Sequence, residues 1–377
     1  MPRTALLTLG RLPVGLDIAR SFSAAGWRVI VAEPYAMHLC RMSRSVDRSV
    51  RVTSPAADPE GYLRDLARIV AAEQVDLVIP VSEETLRIPA LRDTMPPGTC
   101  VFAAEAALLH ELHDKYRFTE RARAIGLAAA RSWLPGSVDT AASSGYVIKP
   151  RRSCSGRGVR FAASDADVRA ETGDVVQERL VGDEVSGFGV ARSGELLAPV
   201  VYRSRVSSGS VAVCFERVVD DGAVVDWMRR FVSATGYSGF IAFDFIVVAG
   251  QPVAIECNPR ATSGIHFLAG DAIEPLVSGN TPPQRLYRDD TLLAEKWSCY
   301  TATLGRLRSP GEFAHALGLL FRSKDVSWRR ADPWPFLLMP VSTFRIIADA
   351  IRTRSTFAEV AVADVAWRDA PDPTPIP

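Results

Sequence analysis

Lysine is almost missing from this chain: of its 44 basic residues only Lys115, Lys149, Lys296 and Lys324 are lysines, and all the others are arginine. A compact ammonium and a planar guanidinium do different work, so each surviving lysine is a candidate for a specific task. Net charge is nearly absent too, since 44 basic against 43 acidic residues leave +1. No whole-chain field therefore draws nucleic acid or an anionic membrane, and any partner must be recognised locally. The six cysteines, at 40, 100, 154, 214, 257 and 299, include no Cys-x-x-Cys pair and no histidine at ligand spacing. That argues against a zinc site and leaves reduced, mostly buried thiols. No apolar run approaches the roughly 18 residues of a membrane span, and Met1–Gly10 lacks the apolar core of an export signal. The expected compartment is the cytoplasm, with no membrane span. Internal repeats and low-complexity linkers are also absent.

What remains is an ordinary globular composition, 47% apolar and 23% charged over 377 residues, enough for two or three domains. The first third alternates short apolar runs with amphipathic stretches. Strands are expected at Arg3–Leu9, Trp27–Glu33 and Asp76–Pro80, with helices at Pro13–Ala25 and Gly61–Glu73. This βαβ rhythm predicts an α/β unit with a doubly wound parallel sheet. Its Gly10-x-x-x-x-Gly15 spacing does not fit the dinucleotide pattern G-x-G-x-x-G, so a tight strand-to-helix turn is the better reading. After a helical stretch over Glu105–Gly126 the texture changes. Strands follow one another at Gly158–Ala162, Asp174–Leu180, Glu184–Arg192, Glu195–Tyr202, Ser210–Val218, Gly239–Val248 and Gln251–Asn258. Helices near Ser164–Glu171 and Ala223–Thr235 interrupt them, which predicts an α+β domain on antiparallel sheets. In the tail, DPWP at Asp332–Pro335 breaks the chain, Phe336–Ala350 is an apolar helix candidate, and Pro371–Pro377 is too proline-rich to fold.

The sharpest chemistry lies in GFIAFDFIVVAGQPVAIECNPR, residues 239–260. Two apolar strands flank a turn at Ala249-Gly250, with Asp244 interrupting the first and Glu256 and Asn258 the second. An unpaired buried carboxylate is costly, so two of them in strands this apolar call for a partner, and a hard cation is the simplest. Residues 256 and 258 leave the same face of their strand. Asp244 joins that face if the connecting loop has an odd number of residues, whereas a two-residue loop would separate the acids; the odd loop is the expectation. Two carboxylates and an amide oxygen suit Mg²⁺, which takes its remaining ligands from water and nucleotide phosphates. Arg260 follows with a fork suited to phosphate.

Two further segments gain weight from position. In YVIKPRRSCSGRGVR, residues 146–160, Lys149 ends an apolar strand, and the small-residue loop from Ser153 through Ser155 and Gly156 to Gly158 has Arg151, Arg152, Arg157 and Arg160 around it. Such a loop lets backbone amides approach phosphate oxygens. In VVQERLVGDE, residues 175–184, the backbone beside Leu180 offers an edge for a flat heterocycle, with Glu178 and Glu184 available to an amino group or sugar hydroxyls.

Taken in order, these pieces resemble the ATP-grasp superfamily, which includes the carboxylate-amine ligases, biotin carboxylase and the large subunit of carbamoyl phosphate synthetase. The likeness runs from about residue 1 to 300 and is strongest at Glu256-Cys-Asn-Pro-Arg260. It implies a pre-ATP-grasp α/β domain over 1–110 and an ATP-grasp domain over 111–303, with subdomains of about 115–180 and 181–303. A helical extension over 304–377 carries no motif. The resemblance further implies that Lys115 and Lys149 contact ATP phosphates and that Ser153–Val159 is a flap over them. Gln177, Glu178, Arg179 and Leu180 become the adenine hinge, and Glu184 reaches the ribose. Asp244, Glu256 and Asn258 take the Mg²⁺ positions, and Arg260 steadies the transferring phosphoryl group. The flap SCSGRG has fewer glycines than many relatives, which implies a stiffer closure. Cys154 and Cys257 have no part in this chemistry.

The implied reaction moves the γ-phosphoryl group of ATP to a carboxylate and lets an amine attack the acyl phosphate. Two other readings stand beside it: phosphoryl transfer to a carbamate- or bicarbonate-like acceptor without ligation, and a non-catalytic nucleotide-binding regulator. For the substrate, Arg203 and Arg205 in Tyr202–Glu216 are candidates to bind a carboxylate and Ser208–Ser210 to contact the acyl phosphate, with a solvated basic strand as the alternative. His266 either meets the amine or is a structural histidine. The loops Gly10–Pro13 and Val81–Thr85 are expected at the pocket. Three roles stay open for the tail: covering the site, pairing two copies as a homodimer, or binding another protein.

Overall fold

The computed structural model describes residues 2–138, 144–153, 158–219, 221–353 and 357–365, without the side chains of 357–359. Cys154, Ser155, Gly156, Arg157 and Pro371–Pro377 lie outside the described residues. The N-terminal sheet is parallel and five-stranded, ordered β3-β2-β1-β4-β5: β1 (Thr4–Leu7), β2 (Arg28–Glu33), β3 (Arg48–Arg51), β4 (Leu77–Ile79) and β5 (Cys100–Val101). Helices α1 (Pro13–Ala24) and α2 (Pro59–Glu73) cross between its strands. Strands covered on both faces read as unbroken apolar runs, and β1, β2 and β4 do so. The edge strand β3, RSVR, is half-exposed and has no apolar run to betray it in the sequence. Helix α2 starts where Asp58 accepts a hydrogen bond from the Gly61 amide at 2.8 Å and Pro59 takes the first turn.

Helices α3 (Ala106–His113) and α4 (Lys115–Ala124) lead into a four-stranded antiparallel sheet ordered β6-β9-β7-β8. Its strands are β6 (Ser132–Trp133), β7 (Tyr146–Pro150), β8 (Arg160–Ala162) and β9 (Asp174–Glu178). The helix expected near Ser164–Glu171 is only a 3₁₀ turn over Asp165–Asp167. None of these residues is buried, so no apolar face rewards a helix, while Ser164 and Asp167 hydrogen-bond each other locally at 2.7 Å.

A seven-stranded sheet, ordered β14-β13-β10-β11-β12-β15-β16, carries the acidic hairpin. It contains β10 (Asp183–Arg192), β11 (Glu195–Ser208), β12 (Val211–Val218), β13 (Gly239–Val248), β14 (Gln251–Asn258), β15 (Leu292–Ala294) and β16 (Lys324–Asp325). Helix α5 (Gly222–Thr235) lies against one face through Val224, Trp227, Met228, Phe231 and Val232, the spacing of a single helical stripe. Trp227 stacks on Phe231 at 5.2 Å and meets Phe243 and Phe245 edge-on at 5.2 and 5.1 Å. Because side chains alternate along β13, burying Phe243 and Phe245 under α5 sends Asp244 out through the other face.

The tail is not a separate helical appendage. After α6 (Ile273–Ser278), α7 (Lys296–Leu304) and α8 (Pro310–Arg322), β16 joins the large sheet, and α9 (Trp334–Leu337), α10 (Met339–Thr353) and α11 (Phe357–Val362) return to the N-terminal unit. One stretch among the described residues, Trp334–Thr353, is long and apolar enough for a membrane span by length and composition, with a mean hydropathy of 1.3, a test that a helix of a protein core also passes. It falls into two helices, α9 and α10. The docking is ionic. Asp332 accepts from Arg20 Nε at 3.0 Å and Ser43 Oγ at 2.6 Å, Arg329 reaches Asp17 at 2.9 Å, and Arg11 binds Asp364 while also pairing with Glu33.

Burial alone would raise the Asp332 carboxyl, but Ser43, the Arg44 amide and Arg20 together hold it below its ordinary value of 3.8. At Asp17 burial is likewise outweighed, there by His266 and the two arginines. A carboxyl depressed by folding stabilises the fold above its unfolded pKa and loses that contribution as pH falls through the folded one. Asp332→Ala is expected to cost about 3 kcal/mol, since it removes the one carboxylate shared by buried Arg20, Ser43 and the Arg44 amide. Urea titration at pH 7 checks this, and the difference from the parent protein should shrink below pH 3.8.

Candidate active site

The hairpin reaches the expected juxtaposition by an unexpected route. Its loop is two residues long, with Val248 opposite Gln251 and Ala249 and Gly250 both at positive φ, +49° and +79°. That is the turn whose twist matches paired strands, and it corrects the odd-numbered loop read from the sequence. A regular ladder from this turn would set Asp244 against Ile255 and turn Glu256 to the far face. A β-bulge intervenes: Phe245 pairs with Ala254, Ile255 is the extra residue, and Asp244 pairs with Glu256.

The bulge has a second effect. The Ile255 carbonyl, freed from the ladder, accepts from Lys149 Nζ at 3.2 Å and from Gln177 Nε2 at 3.3 Å. Gln177 also donates to Ser132 Oγ at 3.1 Å. Lys149 Nζ stands 4.0 Å from Glu256, and Lys115 Nζ stands 3.5 Å from the same carboxylate. Lys115 opens α4 because Asp114 caps that helix, accepting from the Tyr116 and Arg117 amides at 3.1 and 3.2 Å. Its ammonium donates to the Ser153 carbonyl at 2.7 Å, tying helix start to flap root.

Around the acids, Asp244 accepts from Ser186 Oγ at 2.6 Å and from Asn258 Nδ2 at 3.1 Å, and Asn258 Oδ1 accepts from Arg260 at 3.2 Å. Arg260 also donates to Glu83 at 2.9 Å, across 177 residues of sequence. Burial, reinforced by the charge of Glu256, pushes the Asp244 carboxyl up to about 6. Burial also pulls the Lys149 ammonium down to about 8; Lys115 acts in the same direction and Glu256 opposes it. His113, 3.7 Å from Glu83, is driven down chiefly by burial and is mostly neutral near pH 7.

These groups face a cavity of about 1290 Å³. Lys149, Gln177, Glu178, Arg179, Leu180, Glu184, Asp244, Glu256, Asn258 and Arg260 all line it. Lys115 and Ser153 sit just behind that wall. Gly158, at φ +72°, is followed by Val159, which lines the cavity together with Phe161. Ser155 and Gly156 lie outside the described residues. The Glu178 side chain is held by the Arg131 amide and Nε, each at 2.8 Å, so its carboxylate is already committed. Arg11 to Pro13, Ser82, Glu83, Ser208 and Ser210 reach the cavity, as expected of their loops.

Two sequence candidates are redirected, and one left open is decided. Arg203 and Arg205 do not line the cavity; both pair with Glu216 on the neighbouring strand, at 3.2 and 3.0 Å, while Tyr202 and Ser204 take the inward positions. His266 is the structural histidine, buried on Asp17 at 2.7 Å and stacked against Phe215. Buried Cys257, on the α5 side of its strand, has its thiol pushed far up by burial and is inert. Covering the site was one of three roles left open for the tail, and Met339, Thr343, Ile346, Ile347, Ala350 and Ile351 of α10 line the same cavity. Their helical spacing was visible, but not which surface they would cover.

Among the described residues no group of three or more His, Cys, Asp or Glu side chains could share a metal ion. The donor set at the hairpin is two carboxylates and an amide, all oxygen. Crowded acids with only oxygen donors fit a hard cation that completes its shell from a ligand, and suit neither zinc nor copper.

Comparison with known proteins agrees with this geometry. Residues 113–264 match the ATP-grasp domain family. The chain is 25% identical over 150 residues to the carbamoyl phosphate synthase large chain of Lachnoclostridium phytofermentans, a match covering 35% of this chain and 14% of that one. It is 22% identical over 263 residues to the same protein of Thermomicrobium roseum, covering 63% of this chain and 24% of that one. The chain thus spans under a quarter of the length of these relatives. N5-carboxyaminoimidazole synthetase from Staphylococcus aureus superposes with a TM-score of 0.63 at 13% identity over 82% of this chain and 86% of that one. Its ADP complex gives 0.59 at 14% identity over 77% and 81%.

Because Arg203 and Arg205 pair with Glu216 near the surface instead of facing the cavity, replacing either by Gln is expected to change stability, measured by urea titration at pH 7, by no more than about 1 kcal/mol.

Proposed function

We propose, from the premise that residues 113–264 are an ATP-grasp domain, that this protein is an ATP-dependent ligase. It would activate a carboxylate as an acyl phosphate and join it to an amine, releasing ADP and phosphate. One observation carries the reading: Lys149, two carboxylates, an amide and an arginine from distant parts of the sequence converge on one wall of one cavity, with a second of the four lysines, Lys115, just behind it on Glu256. A structural neighbour that binds ADP supports the nucleotide assignment.

In this reading Lys115 and Lys149 hold the phosphates. Lys149 remains largely an ammonium at neutral pH, because its value of about 8 lies above it. The backbone from Gln177 to Leu180 takes the adenine, and Glu184, exposed at the cavity wall, takes ribose hydroxyls. Asp244, Glu256 and Asn258 would hold Mg²⁺, which when bound neutralises charge on the phosphates. A carboxylate oxygen attacks the γ-phosphorus as the bond to the ADP oxygen breaks. Arg260, fixed by Glu83, receives the charge on the transferring group. The amine nitrogen then attacks the acyl carbon, phosphate leaves, and the amine proton passes to solvent. The protein's contribution is position and fixed charge, which needs no nucleophilic side chain. A cytoplasmic location accords with ATP as a substrate and with the free state of all five described cysteines.

An ADP-release assay with mixed carboxylates and amines tests the proposal. ADP formation requiring both partners is the expected result. ADP formed with an acid alone would point to phosphoryl transfer without ligation, and tight ATP binding without turnover to a regulator. Glu256→Gln is expected to lower kcat by at least ~100-fold while the circular dichroism spectrum stays that of the folded parent protein, since the side-chain volume is kept; some loss of melting temperature is expected because Lys115 and Lys149 lose a counter-charge.

A further inference from the structure

The cavity is larger than the roughly 300–1,000 Å³ of a single small-molecule site. Its nucleotide-facing wall accounts for only part of it. Another stretch of wall is apolar: Met339, Ile347 and Ile351 from one face of α10, with Leu12, Val14 and Leu39 from the N-terminal unit. Ile347 is 41% exposed and Ile351 75% exposed, so this face is not satisfied by packing within the protein. The tail that brings it there is anchored by the buried Arg20–Asp332 pair and by Arg11 on Asp364. The apolar wall is therefore held in place.

Its position relative to charge indicates which reactant it serves. Leu12 and Val14 flank the start of α1, and the neighbouring loop is drawn to this unit by Thr8 Oγ1 donating to Glu84 at 2.9 Å. The residue before Glu84 is Glu83, which holds Arg260. Arg260 and the apolar wall thus meet at one pair of loops, while the cavity's other guanidinium groups are placed elsewhere: Arg11 is held by Glu33 and Asp364 and Arg179 lies over Phe161. An anionic head on Arg260 with an apolar body toward α10 satisfies both.

Resting on the ligase reading above, we propose that the carboxylate substrate carries a sizeable apolar group, aliphatic or aryl, that packs against α10. Its carboxylate oxygen takes the γ-phosphoryl group of ATP, giving an acyl phosphate and ADP.

Hydroxylamine, which converts an acyl phosphate to a hydroxamate and free phosphate, makes the test independent of the natural amine. The full chain is assayed with ATP, Mg²⁺ and hydroxylamine against polar acids (glycine, glutamate, malate) and apolar ones (leucine, phenylalanine, hexanoate, 3-phenylpropionate). The expected result is a kcat/KM at least roughly 10-fold higher for one or more apolar acids. Ile347→Asp and Ile351→Asp should remove that preference while ADP affinity, measured by calorimetry, stays within about twofold. Both positions are exposed enough for the variants to fold. Hydroxamate formation with equal or better use of the polar acids, or a preference unchanged in both variants, overturns the inference and leaves the ligase reading standing. ADP binding with no hydroxamate from any acid overturns the ligase reading, and this inference with it.

Discussion

The site depends on a mutual arrangement of like and unlike charges around one bulged hairpin. Asp244 and Glu256 would repel each other at close range, and burial makes that repulsion more costly. Lys115 and Lys149 oppose it from the neighbouring helix and sheet, at 3.5 and 4.0 Å from Glu256. The two ammonium groups and the two carboxylates thus offset one another's charge within a few ångströms. An arrangement of this kind is balanced without ligand, and in the proposed nucleotide site its members would exchange protein partners for phosphate and metal.

Aromatic packing on the opposite face of the sheet holds this arrangement still. Phe243 and Phe245 are locked between Trp227 and the strand, so β13 cannot rotate to relieve the exposed side of Asp244. The cost of burying a carboxylate is thereby met by packing elsewhere in the same strand. Further out, the tail adds a wall to a cavity between two units that already share one apolar core, and it is docked by buried ion pairs whose geometry is more directional than apolar contact.

Much of this was legible in the sequence, and the failures have identifiable causes. The strands Gly239–Val248 and Gln251–Asn258 were readable to the residue, because apolar runs end abruptly at Gly and Pro. The scarcity of lysine singled out positions 115 and 149. Loop parity failed because a bulge is a backbone event, and nothing in VAIECN distinguishes Ile255 as the extra residue. The facing of Arg203 and Arg205 stayed open in the sequence because it is decided by Glu216, which lies on the neighbouring strand opposite Arg203. The tail's role was hidden by distance: Arg20 and Asp332 are 312 residues apart, and Arg11 and Asp364 are 353 apart. No local pattern reports such pairings.

The Ile255 carbonyl is the common anchor of two side chains, Lys149 and Gln177. In the proposed nucleotide site one of these belongs to the triphosphate and the other to the base. A single peptide unit then acts as the fixed point of a gauge, setting the spacing between the two ends of the ligand. Small movements of the hairpin would be transmitted to both ends together, so length discrimination among nucleotides would be built into one kink in the main chain.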